Sequence, residues 1–166
     1  MDINKMSYDD TLDIEKQMIE ILINKCRIAD DIADWDFAET DKVKSKYARA
    51  DGILIKNKQI EAVVENRGRY NVKWDYIVKE GTWLLTEAKL LANIKLSELL
   101  QVPFIFCGYF PNEGIYAHVW VTNRTGDLLI KYNVRETWAK KNKNTDEKVK
   151  KRNAYIPIDQ FRVSKL

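Results

Sequence analysis

Tyr47–Asn57, YARADGILIKN, and Ile60–Asn71, IEAVVENRGRYN, decide how this chain is read. The first sets Asp51 at the mouth of the apolar run Ile53–Ile55. The second carries Ile60–Val64 into Glu65, with Arg67 close behind. β-Branched apolar segments separated by the four residues KNKQ fit two adjacent strands joined as a hairpin. Side chains alternate along a strand, so Glu61, Val63, Glu65 and Arg67 share one face, and Ile60, Ala62, Val64 and Asn66 the other. Two carboxylates then end neighbouring strands at the same end of the hairpin. That arrangement lets a pair of hard oxygen ligands approach one Mg²⁺, which keeps several of its waters. Asp51-Gly52 is also an ordinary turn pair, and Glu65 has Arg67 and Arg69 within reach as surface ion partners, so the flanks must decide.

Upstream, Asp9 to Arg27 places apolar residues at Ile14, Met18, Ile19, Leu22, Ile23 and Cys26, the spacing of an amphipathic helix that Thr11 or a neighbouring Asp would cap. The polar stretch after it reads as a loop with one short strand near Trp35–Phe37. Downstream, YNVKWDYIVKEGTW mixes aromatic and charged residues and reads as part strand, part loop. Thr86 looks like a helix N-cap with Glu87 in the first turn, and the helix is expected to bury Ala88, Leu91, Ala92, Leu96, Leu99 and Leu100 before stopping ahead of Pro103. PFIFCGYF from Pro103 reads as a buried strand and GIYAHVWVTN from Gly114 as another; YIPIDQF is a last short apolar element. There are no internal repeats and no linker composition, so residues 1–166 read as one α/β domain with a mixed sheet.

Asp51, its spacer and Glu65-Asn66-Arg67 resemble the signature of the PD-(D/E)XK nuclease superfamily. The helix before the Asp, the helix after the second strand and the buried strand that follows match that family's order as well. The resemblance covers Asp9 to Phe110 and implies a restriction-endonuclease-like core, a mixed central β-sheet flanked by helices in the order αβββαβ. It implies a DNA endonuclease dependent on Mg²⁺ or Mn²⁺, with Asp51, Glu65 and the Asn66 carbonyl as metal ligands. An N-terminal-helix glutamate, Glu15 or alternatively Glu20, would join them. Small stand-alone members pair to cut two strands, which implies a homodimer, and their size suits an accessory nuclease of phage or mobile-element kind.

Two departures stand out. Arg49-Ala50-Asp51 replaces the family's Pro-Asp, and Arg67 stands where the motif lysine is expected. Arginine presents a planar fork that clamps phosphate but substitutes poorly for a lysine that positions water. Some members carry that lysine on the following helix, where this chain has Lys89. The catalytic set implied is therefore Asp51, Glu65, Arg67 and Lys89. Without a working lysine the same resemblance implies a catalytically silent protein that binds DNA or a protein partner, and the same site chemistry would also serve an RNA-directed nuclease or a junction resolvase.

Two basic, aromatic-bearing segments suit a phosphate backbone. One is Arg69, Tyr70, Lys73 and Trp74, with Arg67 beside them; the other runs from Trp138 to Arg152, with seven Lys or Arg against two acids and including Lys140 and Lys141. The whole-chain charge of +3 discriminates nothing. Cys26 and Cys107 lie in apolar runs and read as free core thiols of a reducing cytoplasm. His118, the one histidine, reads as a satisfied structural residue, and its solitude excludes a histidine-cluster metal site. No apolar run approaches the length of a membrane span, and no signal-peptide pattern opens the sequence.

Overall fold

In the computed structural model, which describes residues 20, 36–39, 50–69, 71–140 and 146–165, the hairpin is closed by only two residues. Asn57 and Lys58 both take positive φ, 51° and 65°, the left-handed pair that matches strand twist in a tight hairpin. β2 (Gly52–Lys56) and β3 (Gln59–Gly68) therefore run on through the lysine and glutamine of KNKQ, with one irregularity between Leu54 and Ile55. β1 (Asp36–Glu39) pairs antiparallel with β2, so the short strand expected near Trp35–Phe37 is present one residue on.

β3 is long enough to serve two neighbours. Its first half pairs antiparallel with β2, and Val63–Gly68 pair parallel with β5 (Phe104–Phe110). β6 (Ile115–Trp120) and the final β9 (Arg162–Lys165) extend the sheet antiparallel, in the order β1-β2-β3-β5-β6-β9. Parallel strands need a crossover. Here it contains α1 (Trp74–Glu80), β4 (Thr82–Thr86) and α2 (Glu87–Leu100). β4 forms a second sheet with β8 (Lys148–Pro157) and β7 (Asn133–Lys140), in the order β4-β8-β7. The fold is mixed α/β and rich in strand.

Three expectations are corrected. YNVKWDYIVKEGTW contains the helix α1, because Trp74 and Ile77 sit three apart on its buried side and Gly81, at φ 69°, ends it by donating to the Ile77 and Val78 carbonyls. α2 begins after Thr86 as expected, yet Ala88 and Leu91 are exposed and Leu99 is 71% exposed. The residues it buries are Leu90, Asn93 and Ser97, because Asn93 and Ser97 have hydrogen-bonding partners beneath them. YIPIDQF is the end of β8 followed by a 3₁₀ turn at Ile158–Gln160 and the buried Phe161.

The larger core fills the space between the six-stranded sheet, the helices and the second sheet, and is centred on Trp83. Its ring lies 5.1 Å from Phe106, 5.3 Å from Phe110, 5.3 Å from Phe161 and 6.3 Å from Trp74, centroid to centroid. Leu54, Ala62, Val64, Ile105, Cys107 and Tyr116 form a smaller buried cluster on the opposite face of the sheet. Cys107 is a free buried thiol, as expected; Cys26 lies outside the described residues. No helix among the described residues is long and apolar enough to cross a membrane.

His118 is buried but not satisfied: neither ring nitrogen has a hydrogen-bond partner. Burial, and secondarily the Arg162 charge, hold its pKa down at about 4 from 6.5. A depressed value means that protonation favours the unfolded chain, so stability is intact above pH 6.5 and falls as pH drops toward 4. Between pH 7.5 and 4.5 this residue is expected to remove about 2–3 kcal/mol. Urea denaturation of wild type and His118→Phe at the two pH values checks it. The gap between the proteins must widen on acidification, and parallel losses would refute the assignment.

Candidate active site

Three elements converge at the end of β3 that leaves β2 behind. Asp51, just before β2, donates its N–H to the Val64 carbonyl at 3.1 Å, which fixes its backbone against β3. Its Oδ2 accepts the Asn66 N–H at 2.7 Å. Along a strand the N–H and C=O of one residue point to the same edge, so the Asn66 carbonyl faces the Asp51 side too. Glu65, the next residue back, is fully buried and projects to the opposite side of the pleat from Asn66, onto the face covered by α2.

Glu65 receives three donors. Lys89 Nζ reaches its Oε1 at 2.7 Å, Arg67 Nη2 reaches the same oxygen at 3.0 Å, and Asn93 Nδ2 stands 3.5 Å from Oε2. Lys89 Nζ also lies 3.6 Å from Asp51 Oδ1, so a single ammonium spans the two carboxylates. The sharing of a face by Glu65 and Arg67, expected from strand alternation, is thus realised as an ion pair. Glu65 is nevertheless harder to ionise than an ordinary glutamate. Burial is the largest cause and the Asp51 charge the second, and Arg67 and Lys89 pull the other way without cancelling them.

Asn93 escaped the reading of the sequence. It is fully buried, its Oδ1 has no hydrogen-bond partner, and it lies one helical turn beyond Lys89. The signal was present in Lys89, Asn93 and Ser97, spaced by four along α2. Ser97 continues this polar stripe to Thr122, hydroxyl to hydroxyl at 2.8 Å, and Thr122 accepts the Phe104 N–H at 3.0 Å. The stripe fixes α2 in the rotation that delivers Lys89 to the carboxylates. Behind the site, Cys107 Sγ donates to Asn66 Oδ1 at 2.7 Å and so orients the residue between Glu65 and Arg67.

The remaining candidates are scattered. Glu15 lies outside the described residues, and Glu20 is helical and exposed. Among the described residues no three of His, Cys, Asp and Glu come together as a group that could hold a metal ion. Arg69 is half-buried, its N–H held by the Tyr109 carbonyl at 2.8 Å, and its pKa is lowered by burial and then by Arg67. Lys73 is exposed, and Tyr70 lies outside the described residues. Trp74 corrects the expectation of a surface aromatic. It is a core residue set edge-on to Phe110 at 5.2 Å, while its backbone N–H donates to Glu113 Oε2 at 2.6 Å. Lys140 ends β7 and Lys141 falls outside the described residues; the described parts of the basic run lie in β7 and β8, which pair antiparallel, and at the residues just before β8. No family model, no curated protein and no solved structure matches this chain.

Proposed function

We propose that the protein is a metal-dependent DNA endonuclease of the PD-(D/E)XK type, with its lysine displaced from β3 to α2. The observation that carries this reading is the position of Lys89 Nζ, 2.7 Å from Glu65 and 3.6 Å from Asp51. Arg67 at the motif position left the lysine unaccounted for, and a helix residue delivers an ammonium to both carboxylates. The strand order β1-β2-β3-β5, with β3 and β5 parallel, is further support for a restriction-endonuclease-like core.

The donors fit a hard divalent ion. Asp51 and Glu65 supply carboxylate oxygens, the Asn66 carbonyl lies on the same strand edge as Asp51, and the burial that makes Glu65 costly to ionise is offset by a bound cation. When bound, Mg²⁺ or Mn²⁺ supplies Lewis-acid charge to a water and to the phosphodiester. The chain's own residues do the rest. The Lys89 ammonium orients the attacking water and steadies the negative charge that grows on the phosphate, and the Arg67 fork holds the phosphate in line. Asn93, 3.5 Å from Glu65 Oε2, would hold that carboxylate in place as a ligand to the ion.

One observation favours a second reading. The two carboxylates and the two cations form a group already balanced in formal charge, which suits a catalytically silent protein that binds DNA or a protein partner. Incubation of supercoiled and linear DNA with Mg²⁺, Mn²⁺ or EDTA separates the two. Cutting that needs the ion, and that Asp51→Ala removes together with calorimetric metal binding, is the expected result. DNA binding without cutting under every ion condition would select the silent protein.

A further inference from the structure

The second sheet is not wholly packed. β4 covers β8 only from Asn153 to Pro157, so beyond that point β7 and β8 continue as a two-stranded ribbon. Pairs Glu136–Arg152, Trp138–Lys150 and Lys140–Lys148 cross it in register. Alternation places Trp138, Lys150 and Arg152 on the face that, further along β8, buries Ala154 and Ile156 in the core. The two strands contribute Arg135, Lys140, Lys148, Lys150, Lys151 and Arg152 against one acid, Glu136.

Position matters more than the charge total. Arg152 Nε meets Glu87 Oε2 at 2.6 Å, tying this face to the first residue of α2. Two residues further on, the same helix delivers Lys89 to Glu65 and Asp51. The inner face of the ribbon is thus an extension of the wall on which the candidate active site sits. Trp138 is 67% exposed, an unusual position for the largest side chain, and the Lys150 ammonium stands over its ring at 5.7 Å. An exposed indole flanked by cations is the chemistry that holds an unpaired nucleotide, with the ring stacking on the base and the cations meeting the phosphates on either side. A paired base offers no free face to such a ring, because its neighbours in the duplex already cover it.

We infer that the β7–β8 ribbon grips a single-stranded segment of DNA next to the scissile phosphate, with Trp138 as the stacking platform and Lys150 and Arg152 as phosphate contacts. The inference deepens the nuclease reading and rests on it for the choice of nucleic acid over other polyanions. The substrate class it names is DNA with an unpaired stretch, such as a flap, a gap or a fork, in preference to continuous duplex.

Fluorescence anisotropy with labelled oligonucleotides in EDTA tests it on the full chain, since binding is then read apart from cutting. Wild type is expected to bind a single strand or a forked oligonucleotide about tenfold more tightly than the matching duplex. Trp138→Ala weakens single-strand binding about tenfold and leaves duplex binding within about twofold, while Trp138→Phe retains most of the affinity. Lys150→Glu lowers affinity for both forms and flattens the salt dependence. Equal losses of Trp138→Ala on both DNA forms, or no loss on either, would overturn the proposal. So would failure of the wild type to bind DNA at all, which would leave the ribbon to a protein partner. The cleavage assay separates the two ideas. Trp138-dependent binding without cutting sinks the nuclease and spares the ribbon, and cutting indifferent to Trp138 does the reverse.

Discussion

On the nuclease reading, Lys89→Met is expected to retain DNA binding and divalent-ion binding but to cut roughly a thousandfold more slowly than wild type. That loss is the scale on which a single well-placed charge donor matters in a transition state. Methionine keeps the length and apolar stem of lysine and deletes only the ammonium, so α2 stays docked through Leu90, Asn93 and Ser97. The deletion also leaves the fully buried Glu65 with one cation fewer. Removing one partner of a buried pair costs about 3–5 kcal/mol, and because Arg67 remains at 3.0 Å the expected destabilisation here is about 2 kcal/mol. The two consequences can be pulled apart. Adding Glu65→Gln to Lys89→Met removes the uncompensated charge and restores much of the stability, while activity falls further. Single-turnover cleavage and urea denaturation of the two single variants and the double give the full cycle. Recovery of cutting in the double variant would show that Lys89 serves only to neutralise Glu65.

Gly108→Ala has the largest expected effect on the fold. A Cβ at this position of β5 would lie 1.6 Å from Trp83 Cη2 and 2.4 Å from its Cζ2. Separations of that size require the indole to move, and it has nowhere to go. Phe106, Phe110 and Phe161 close around it with centroids 5.1–5.3 Å away, and Trp74 stands edge-on behind. Overpacking of one methyl ordinarily costs about 1–3 kcal/mol where neighbours can shift, and here the cost is expected at about 4 kcal/mol or more. A second variant keeps the test sharp if the alanine protein is insoluble. Trp83→Leu alone opens a cavity and costs about 3–5 kcal/mol. Combined with Gly108→Ala, it should cost less than the two separately, because the methyl then enters the vacated space. Simple additivity would mean that the glycine is required for a reason other than the ring.

The hairpin and the strands β5 and β6 were legible because each is a β-branched or aromatic run bounded by turn residues, and buried strands leave little room for other readings. Asp51 and Glu65 were legible as a pair because strand alternation and chain spacing fix their relative positions. Lys89 was reachable only through resemblance to a family in which the lysine moves. α2 defeated the hydrophobic pattern for a physical reason. Of its inward residues only Leu90 is apolar and fully buried, while Asn93 and Ser97 are buried polar side chains with partners below and Lys89 is half-buried, so the leucine pattern pointed to Leu91 and Leu99 on the exposed side. α1 was hidden because Trp, Tyr, Ile and Val in one short segment favour strand, and only tertiary burial of Trp74 and Ile77 selects helix. The basic run from Trp138 was visible as charge, but the register that sets Trp138 opposite Lys150 and Arg152 opposite Glu136 is not written in composition.

The seating of Lys89 on a helix, rather than on the strand beside Glu65, also bears on when the site is complete. A chain whose sheet has formed but whose α2 has not yet docked holds both carboxylates and lacks the ammonium between them. On the nuclease reading, such a partly folded chain is chemically inert. Helices opening ahead of the sheet in mild denaturant would then end cutting before the sheet is lost, which hydrogen exchange at α2 followed beside activity would register. In the other direction, and on the same reading, a newly made polypeptide gains the ability to cut only once α2 has docked.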